Sequence, residues 1–288
     1  MSTPLERLYE RAPLGMRFGL DPMREACARA GHPEAELDAV HVAGTNGKGS
    51  VAAMVELAAR AAGRRTGLYT SPHLGRFAER IRIDGEPIDD ASLDRHLERA
   101  LDLGPDLSFF ETATLAAFLA ITAAGVEFTV LEVGLGGRLD ATNVIETARA
   151  CAVTRIALDH TALLGNTLAE IAREKAAIAK PGVDLVVGPA SAEIRAAIEE
   201  EARLRGGRVV HVDDDAECTD FFATPHPLAL AGAYQRDNAK VAYALGRRAG
   251  LSRENLEVGL AEVCWPGRLE RIETARGPLL LDAAHNPD

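Results

Sequence analysis

Seven residues, Gly44-Thr45-Asn46-Gly47-Lys48-Gly49-Ser50, constrain this chain more than any other feature. They follow the apolar run 39–43 and precede Val51, Met54, Val55 and Ala58, spaced i, i+3, i+4, i+7. That spacing puts four apolar side chains on one helical face. Three glycines between a strand and a helix let backbone N–H groups close around a phosphate. The helix N-terminus adds partial positive charge at the same point, and Lys48 reaches the terminal phosphates. The run is close to the pattern GxxxxGK[ST], with Gly49 inserted between the lysine and the hydroxyl residue. The alternative is a glycine-rich turn that holds no ligand.

The rest of the chain supplies a frame for such a loop. Apolar runs at 39–43, 66–70, 127–133, 151–156, 184–188 and 208–212 read as strands. Helical patterns lie between them, among them Leu115, Phe118 and Leu119, and the segment 192–204 after the N-cap candidate Ser191. Such alternation predicts an α/β fold, a mostly parallel sheet with helices on both faces. Residues 71–88 read as a charged excursion from that sheet. Helices are expected at 234–249 and 252–263, and a short strand pair at 269–273 and 279–282.

The chain has 288 residues, 47% hydrophobic and 26% charged, enough for one large core or two ordinary ones. That composition excludes disordered and fibrous classes. Asp and Glu number 43 against 32 Lys and Arg, the wrong balance for a broad nucleic-acid footprint. No apolar stretch approaches the ~20 residues that span a bilayer, and residues 1–16 lack the apolar centre of a signal peptide. A cytoplasmic monomer with no nucleic-acid or membrane partner is expected. Cys27, Cys151, Cys218 and Cys264 show no CxxC spacing and are expected to be scattered buried thiols.

In an open parallel sheet, ligands bind beyond the carboxyl ends of the strands. Ser71, Glu132 and His160 each follow or end a predicted strand, on the same edge as the phosphate loop. A hydroxyl, a carboxylate and an imidazole beside a nucleotide phosphate suit Mg²⁺, which takes few protein ligands plus phosphate oxygens and water. The plainer readings are a turn serine before Pro72 and a capping or core histidine. Leu168, Ile171, Lys175 and Ile178 fall on one helical stripe, so Lys175 occupies an apolar position. It either snorkels to the surface or is half-buried with a lowered pKa, able to react with CO₂ to give a carbamate.

The segments 41–50, 70–74, 132–140 and 158–161 together resemble the folylpolyglutamate synthase/dihydrofolate synthase family of the Mur ligase superfamily, from about Phe18 to the end of the chain. The segments 79–85 and 109–112 are similar to the family's folate-side segments. The resemblance implies a P-loop Mur-ligase-like ATP-binding domain over 1–276 and, at 277–288, the stub of a C-terminal glutamate-binding domain that is otherwise missing. It implies that Thr45, Asn46, Gly47, Lys48, Gly49, Ser50, Asn238, Arg268, Asp282 and His285 contact ATP. It implies Ser71, Glu132 and His160 as Mg²⁺ ligands, and catalytic roles for Lys48, His160 and a carbamylated Lys175. Ala283 and Ala177 stand where the family usually has glycine. The implied reaction is ATP-dependent ligation of L-glutamate to dihydropteroate or to a folate (poly)glutamate through an acyl phosphate. Another Mur-type amino-acid ligase, or an ATP-binding fragment inactive without the missing domain, are the alternatives.

Overall fold

The structure, a computed structural model, describes residues 2–12, 19–274, 277–284 and 286. In chain order its elements are α1 (Pro4–Tyr9), α2 (Asp21–Ala30), β1 (Ala39–Ala43), α3 (Lys48–Ala61), β2 (Thr66–Tyr69), β3 (Ile81–Ile83), β4 (Glu86–Pro87), α4 (Asp90–Leu103), α5 (Phe109–Ala123), β5 (Phe128–Glu132), β6 (Ala150–Val153), α6 (Thr161–Leu164), α7 (Leu168–Ala176), β7 (Asp184–Val187), α8 (Ala192–Leu204), β8 (Arg208–His211), α9 (Ala216–Phe221), α10 (Tyr234–Arg248), α11 (Arg253–Glu262), β9 (Glu270–Thr274) and β10 (Gly277–Leu281).

Eight strands form one sheet in the order β4-β3-β2-β5-β1-β6-β7-β8. The six strands from β2 to β8 in that order are parallel. Connections run to one side of β1 as far as β5 and to the other from β6 onward. This reversal opens a crevice at the C-terminal end of β1.

Side chains alternate between two buried faces. Val40, Val42, Phe128, Val130, Ala150, Ala152 and Val186 pack with α3, α10 and α11. On the opposite face, Ala39 and Leu131 join α2, α4 and α5, while Ala43, Cys151, Val153, Leu185 and Val187 join α7 and α8. Burial on both faces explains why these strands read as continuous apolar runs rather than alternating ones. Side-chain caps fix several helix starts: Ser191 accepts from the Ile194 N–H, and Thr167 and Glu170 form a reciprocal capping box on α7.

Four expectations need correction. Residues 71–88 are not a detour from the sheet, because β3 pairs antiparallel with β2 and β4 with β3. The strand expected over 151–156 stops at Val153: the Thr154 N–H still donates to Ala43 of β1, but the Thr154 hydroxyl and the Arg155 carbonyl bond the phosphate loop. α7 ends at Ala176 with Ala177 as its cap, so Ile178 lies past the helix, although it is buried. Cys264 is exposed, unlike the other three cysteines. The predicted strand pair is present as the antiparallel hairpin of β9 and β10. No helix among the described residues is long and apolar enough to cross a membrane.

Candidate functional site

The phosphate loop leaves β1 at Gly44 and enters α3 at Lys48 through Gly47, with φ of +151° and +89° at the two glycines. A Cβ at Gly44 would sit 1.8 Å from Thr154 Oγ1, and one at Gly47 would sit 2.1 Å from Asn238 Oδ1. Both positions therefore need glycine for backbone angle and for space. The segment after β6 clamps the loop. The Thr45 N–H donates to the Arg155 carbonyl (2.8 Å), and the Thr154 hydroxyl donates to the Asn46 carbonyl (2.7 Å). The Ala157 N–H donates to Thr45 Oγ1 (3.1 Å). The first-turn N–H groups of α3, including those of Lys48, Gly49 and Ser50, lack helical acceptors by position and face an anion site.

This loop forms one wall of a cavity of about 740 Å³. Thr45, Asn46, Gly47, Lys48, Gly49, Ser50, Ser71, Glu132, His160, Lys175, Asn238, Arg268 and Asp282 all line it. His285 lies outside the described residues. The four strand-end loops thus converge on one edge of the sheet.

Within the cavity the contacts are uneven. The Ser71 N–H donates to Glu132 Oε2 at 3.2 Å, so these two positions touch. His160 stands at the rim in the left-handed region (φ +48°) as the N-cap residue of α6. Its side chain is 53% exposed, and its nearest ionic neighbour is Asp159, 3.8 Å away, not Glu132. Among the described residues, no three of His, Cys, Asp and Glu cluster as a metal-holding set.

Burial pushes Glu132 up to about 7, against the opposing pull of Lys48. Its hydrogen bond among the described residues is the one from Ser71, which leaves carboxylate lone pairs facing the cavity. A hard dication held partly by phosphate oxygens would restore the charge that burial disfavours, so Ser71 and Glu132 fit Mg²⁺. Lys48 rests with its amine donating to the carbonyls of Gly44 (3.0 Å) and Thr45 (3.1 Å). Burial lowers its pKa, against Glu132, Asp140 and Asp159.

Lys175 is 4% exposed and does not snorkel. Its Nζ donates to the Gly44 carbonyl at 3.0 Å. Burial first, and then Lys48, lower its pKa to about 7. Gly137 lets the loop after Glu132 pack on the last turn of α7: a Cβ there would lie 2.6 Å from the Glu174 carbonyl oxygen and 3.0 Å from that of Lys175.

Several contributors were not singled out from sequence. Asp140 accepts from the Gly134 and Leu135 N–H groups and from the Thr142 N–H and hydroxyl, pinning the glycine-rich loop that follows Glu132. Thr142 is bonded in turn to buried His41 Nε2 at 2.8 Å. Gln235, fully buried, donates to Ser50 Oγ (3.3 Å) and accepts from Asn238 Nδ2 (2.9 Å). Asn286 pairs reciprocally with Asn46 and donates to Asp159. The Asp-Ala-Thr-Asn turn at 140–143 was the one legible signal among these, since Asp followed by Thr at that spacing is a side-chain-capped turn.

A phosphate loop at the switch point of a parallel sheet, with a buried lysine and a serine–glutamate pair facing it, defines a nucleotide-dependent ligase domain of the Mur type. Residues 42–226 match the Mur ligase middle domain. The chain is 35% identical to the dihydrofolate synthase/folylpolyglutamate synthase of Bacillus subtilis, covering 98% of this chain and 72% of that protein. It is 39% identical to the probable bifunctional folylpolyglutamate synthase/dihydropteroate synthase of Haloferax volcanii, covering 98% of this chain but 36% of that longer protein. E. coli FolC in complex with DHPP and ADP superposes with a TM-score of 0.86 at 31% identity, over 99% of this chain and 72% of that one. The chain belongs to the folylpolyglutamate synthase/dihydrofolate synthase family of Mur ligases.

Proposed function

We propose that this chain ligates L-glutamate to dihydropteroate, to a folate (poly)glutamate, or to both, at the expense of ATP. The observation that carries the reading is the meeting of Lys48, Lys175 and the Ser71–Glu132 pair in one cavity at the phosphate loop. The names of the relatives support the substrate class. The setting we infer is the cytoplasm, where ATP and reduced folates are both supplied.

A carboxylate resists attack by an amine, because its charge is delocalised and its leaving group would be oxide. Transfer of the γ-phosphoryl group removes that obstacle: a carboxylate oxygen bonds to phosphorus as the bond to ADP breaks. The glutamate amine then bonds to the acyl carbon, phosphate leaves with the bonding pair, and the amine gives up a proton. The protein's part is positioning and charge neutralisation. The first-turn N–H groups of α3 hold the phosphates, and Lys48 turns from its two carbonyl partners to the γ-phosphoryl oxygens. Arg268, on the cavity wall near Glu132 and Lys48, adds positive charge where negative charge develops. Asn238, Gln235 and Ser50 keep the base of the loop in register. Ser71 and Glu132, with His160 at the rim, would hold Mg²⁺, which would supply charge neutralisation at the phosphates. Lys175, with a pKa near 7, presents a neutral amine in a useful fraction of molecules. With CO₂ it would give a carbamate and a released proton, an anion in the same cavity as Ser71 and Glu132.

The acid substrate is assigned to the side of β2 and α5. Phe110 lies against the glycine-rich loop so closely that a Cβ on Gly134 would be 2.3 Å from its ring. Arg80 is stacked over the rings of Phe77 (5.2 Å) and Phe109 (5.5 Å). Outside the lining of the phosphate-loop cavity, these rings and the Arg80 guanidinium form a cluster whose chemistry suits a flat acid. ADP release measured with dihydropteroate or tetrahydrofolate, with and without glutamate, tests the proposal. Glutamate-dependent release with either acid is expected, and nucleotide binding without such release would refute it for this chain.

A further inference from the structure

Gly49, the residue that separates this phosphate loop from GxxxxGK[ST], is not explained by backbone conformation. It lies in the first turn of α3 and is not among the positive-φ glycines, so alanine, the better helix former, would suit the backbone. What excludes a side chain is Trp265. A Cβ on Gly49 would lie 2.9 Å from Trp265 Nε1 and 3.4 Å from two carbons of the same indole. The same indole carries Arg82 of β3 over its face, the guanidinium carbon 5.1 Å from the ring. Among the described residues, buried Arg82 Nε has no hydrogen-bond partner, and the guanidinium stacks on the indole and donates to the Gly85 carbonyl.

Trp265 lies three residues before Arg268 in the irregular segment, 263–269, between α11 and β9. The chain turns through positive φ on both sides of that arginine, at Gly267 (+71°) and Leu269 (+47°). The second is a costly conformation for leucine and persists only where its surroundings impose it. Gly267 donates to Glu270 Oε2 and its carbonyl accepts from the Ala283 N–H, while the Leu269 N–H donates to Asp282 Oδ2. These bonds hold the later part of the segment. The Trp265 indole, against Gly49, holds the part before Arg268.

We propose that Trp265, seated on Gly49 and capped by Arg82, is a positioning residue that aims Arg268 at the nucleotide phosphates, and that Gly49 is glycine to provide the seat. This rests on the nucleotide-site part of the reading above and adds a structural dependence between the phosphate loop and the segment carrying Arg268. Trp265 is the chain's one tryptophan, so its emission reports the seat directly.

The test is a double-mutant cycle of Gly49→Ala and Trp265→Ala, read by binding of a non-hydrolysable ATP analogue and of adenosine. Each single variant should weaken the ATP analogue by roughly tenfold or more, the worth of one charge-assisted hydrogen bond, and leave adenosine unchanged. Gly49→Ala should also shift the tryptophan emission to the red. In the Trp265→Ala background, Gly49→Ala should cost nothing further. Equal losses in both backgrounds would mean that the phosphate itself needs the glycine, and would overturn the proposal. So would full ATP-analogue affinity in Trp265→Ala, or equal losses of adenosine and ATP analogue. If Trp265→Ala does not fold, Trp265→Phe takes its place, since the smaller ring frees part of the space. The same cycle read as Tm tests the seat without nucleotide. A wild-type chain that binds no ATP analogue would refute the functional reading, while a cooperative cycle in Tm would still uphold the seat.

Discussion

Replacing Lys175 with methionine should stabilise the protein at neutral and acid pH while abolishing ligation, and the size of the stabilisation should follow a predictable pH curve. Lys175 titrates near 7 in the folded chain, against an ordinary 10.5. Below about pH 7 the amine is charged in both folded and unfolded states, and the full cost of burying that charge is present. Between 7 and 10.5 the unfolded chain holds a proton that the folded chain has released, so stability rises with pH. Above 10.5 the cost is gone. At about 1.4 kcal/mol per pH unit, the span from 10.5 to 7 comes to roughly 5 kcal/mol as an upper bound. Methionine has similar length and no charge to bury. Its loss of the hydrogen bond to Gly44 is cushioned, because that carbonyl also accepts from Lys48. The Lys175→Met advantage should therefore be several kcal/mol at pH 6, shrink to about 2 kcal/mol near pH 9, and vanish near pH 10.5. Urea unfolding of both proteins at several pH values measures it. A variant less stable than wild type at pH 6, or an advantage that grows with pH, would refute the argument. Loss of ADP release in the same variant, partly restored by short carboxylates, would connect the buried amine to a carbamate.

Gly44→Ala should lower Tm and abolish nucleotide binding, because its Cβ would fall 1.8 Å from Thr154 Oγ1 at a φ of +151°; a loss of at least about 2 kcal/mol is expected, read by thermal melting and calorimetric titration. Glu132→Gln removes a buried carboxylate without changing its shape, so stability should hold or rise while ADP release falls by about 10²-fold or more and its Mg²⁺ requirement increases; a magnesium titration of turnover checks this. Thr142→Val cuts the bond chain between His41 and Asp140 and should cost roughly 1–3 kcal/mol in urea unfolding, with a raised KM for ATP as the loop after Glu132 loosens.

The legible parts of the fold were those whose local signals agreed with the tertiary outcome. β1 was read to the residue because an apolar run meets a glycine that must leave the sheet, and α8 because Ser191 caps it. The apolar run 151–156 overstates β6, which ends at Val153. Thr154, Arg155, Ile156 and Ala157 have strand-like composition, but after the Thr154 N–H, which still donates to Ala43 of β1, the Thr154 hydroxyl, the Arg155 carbonyl and the Ala157 backbone bond Thr45 and Asn46 of the phosphate loop. The segment 71–88 reads as a detour because its charge hides a three-residue strand whose antiparallel partner, β2, lies earlier in the chain. Pairings across that distance leave no local periodicity to read.

The site shows the same division more sharply. Ser71, Glu132 and His160 were placed together by topology alone, since every parallel strand delivers its following loop to one edge. That reasoning fixes the edge but not the contacts, which is why Ser71 meets Glu132 while His160 stands at the rim beside Asp159. Lys175 was found because a lysine interrupts an apolar stripe, a conflict between pattern and chemistry that buried functional groups create. Gly49 carries no such conflict: a glycine in a glycine-rich loop looks sufficient in itself. Its reason lies with Trp265, at the far end of the chain, and no spacing rule joins the two. The inserted glycine and the indole that excludes its side chain make one physical unit, and either taken alone has a plausible but incomplete explanation.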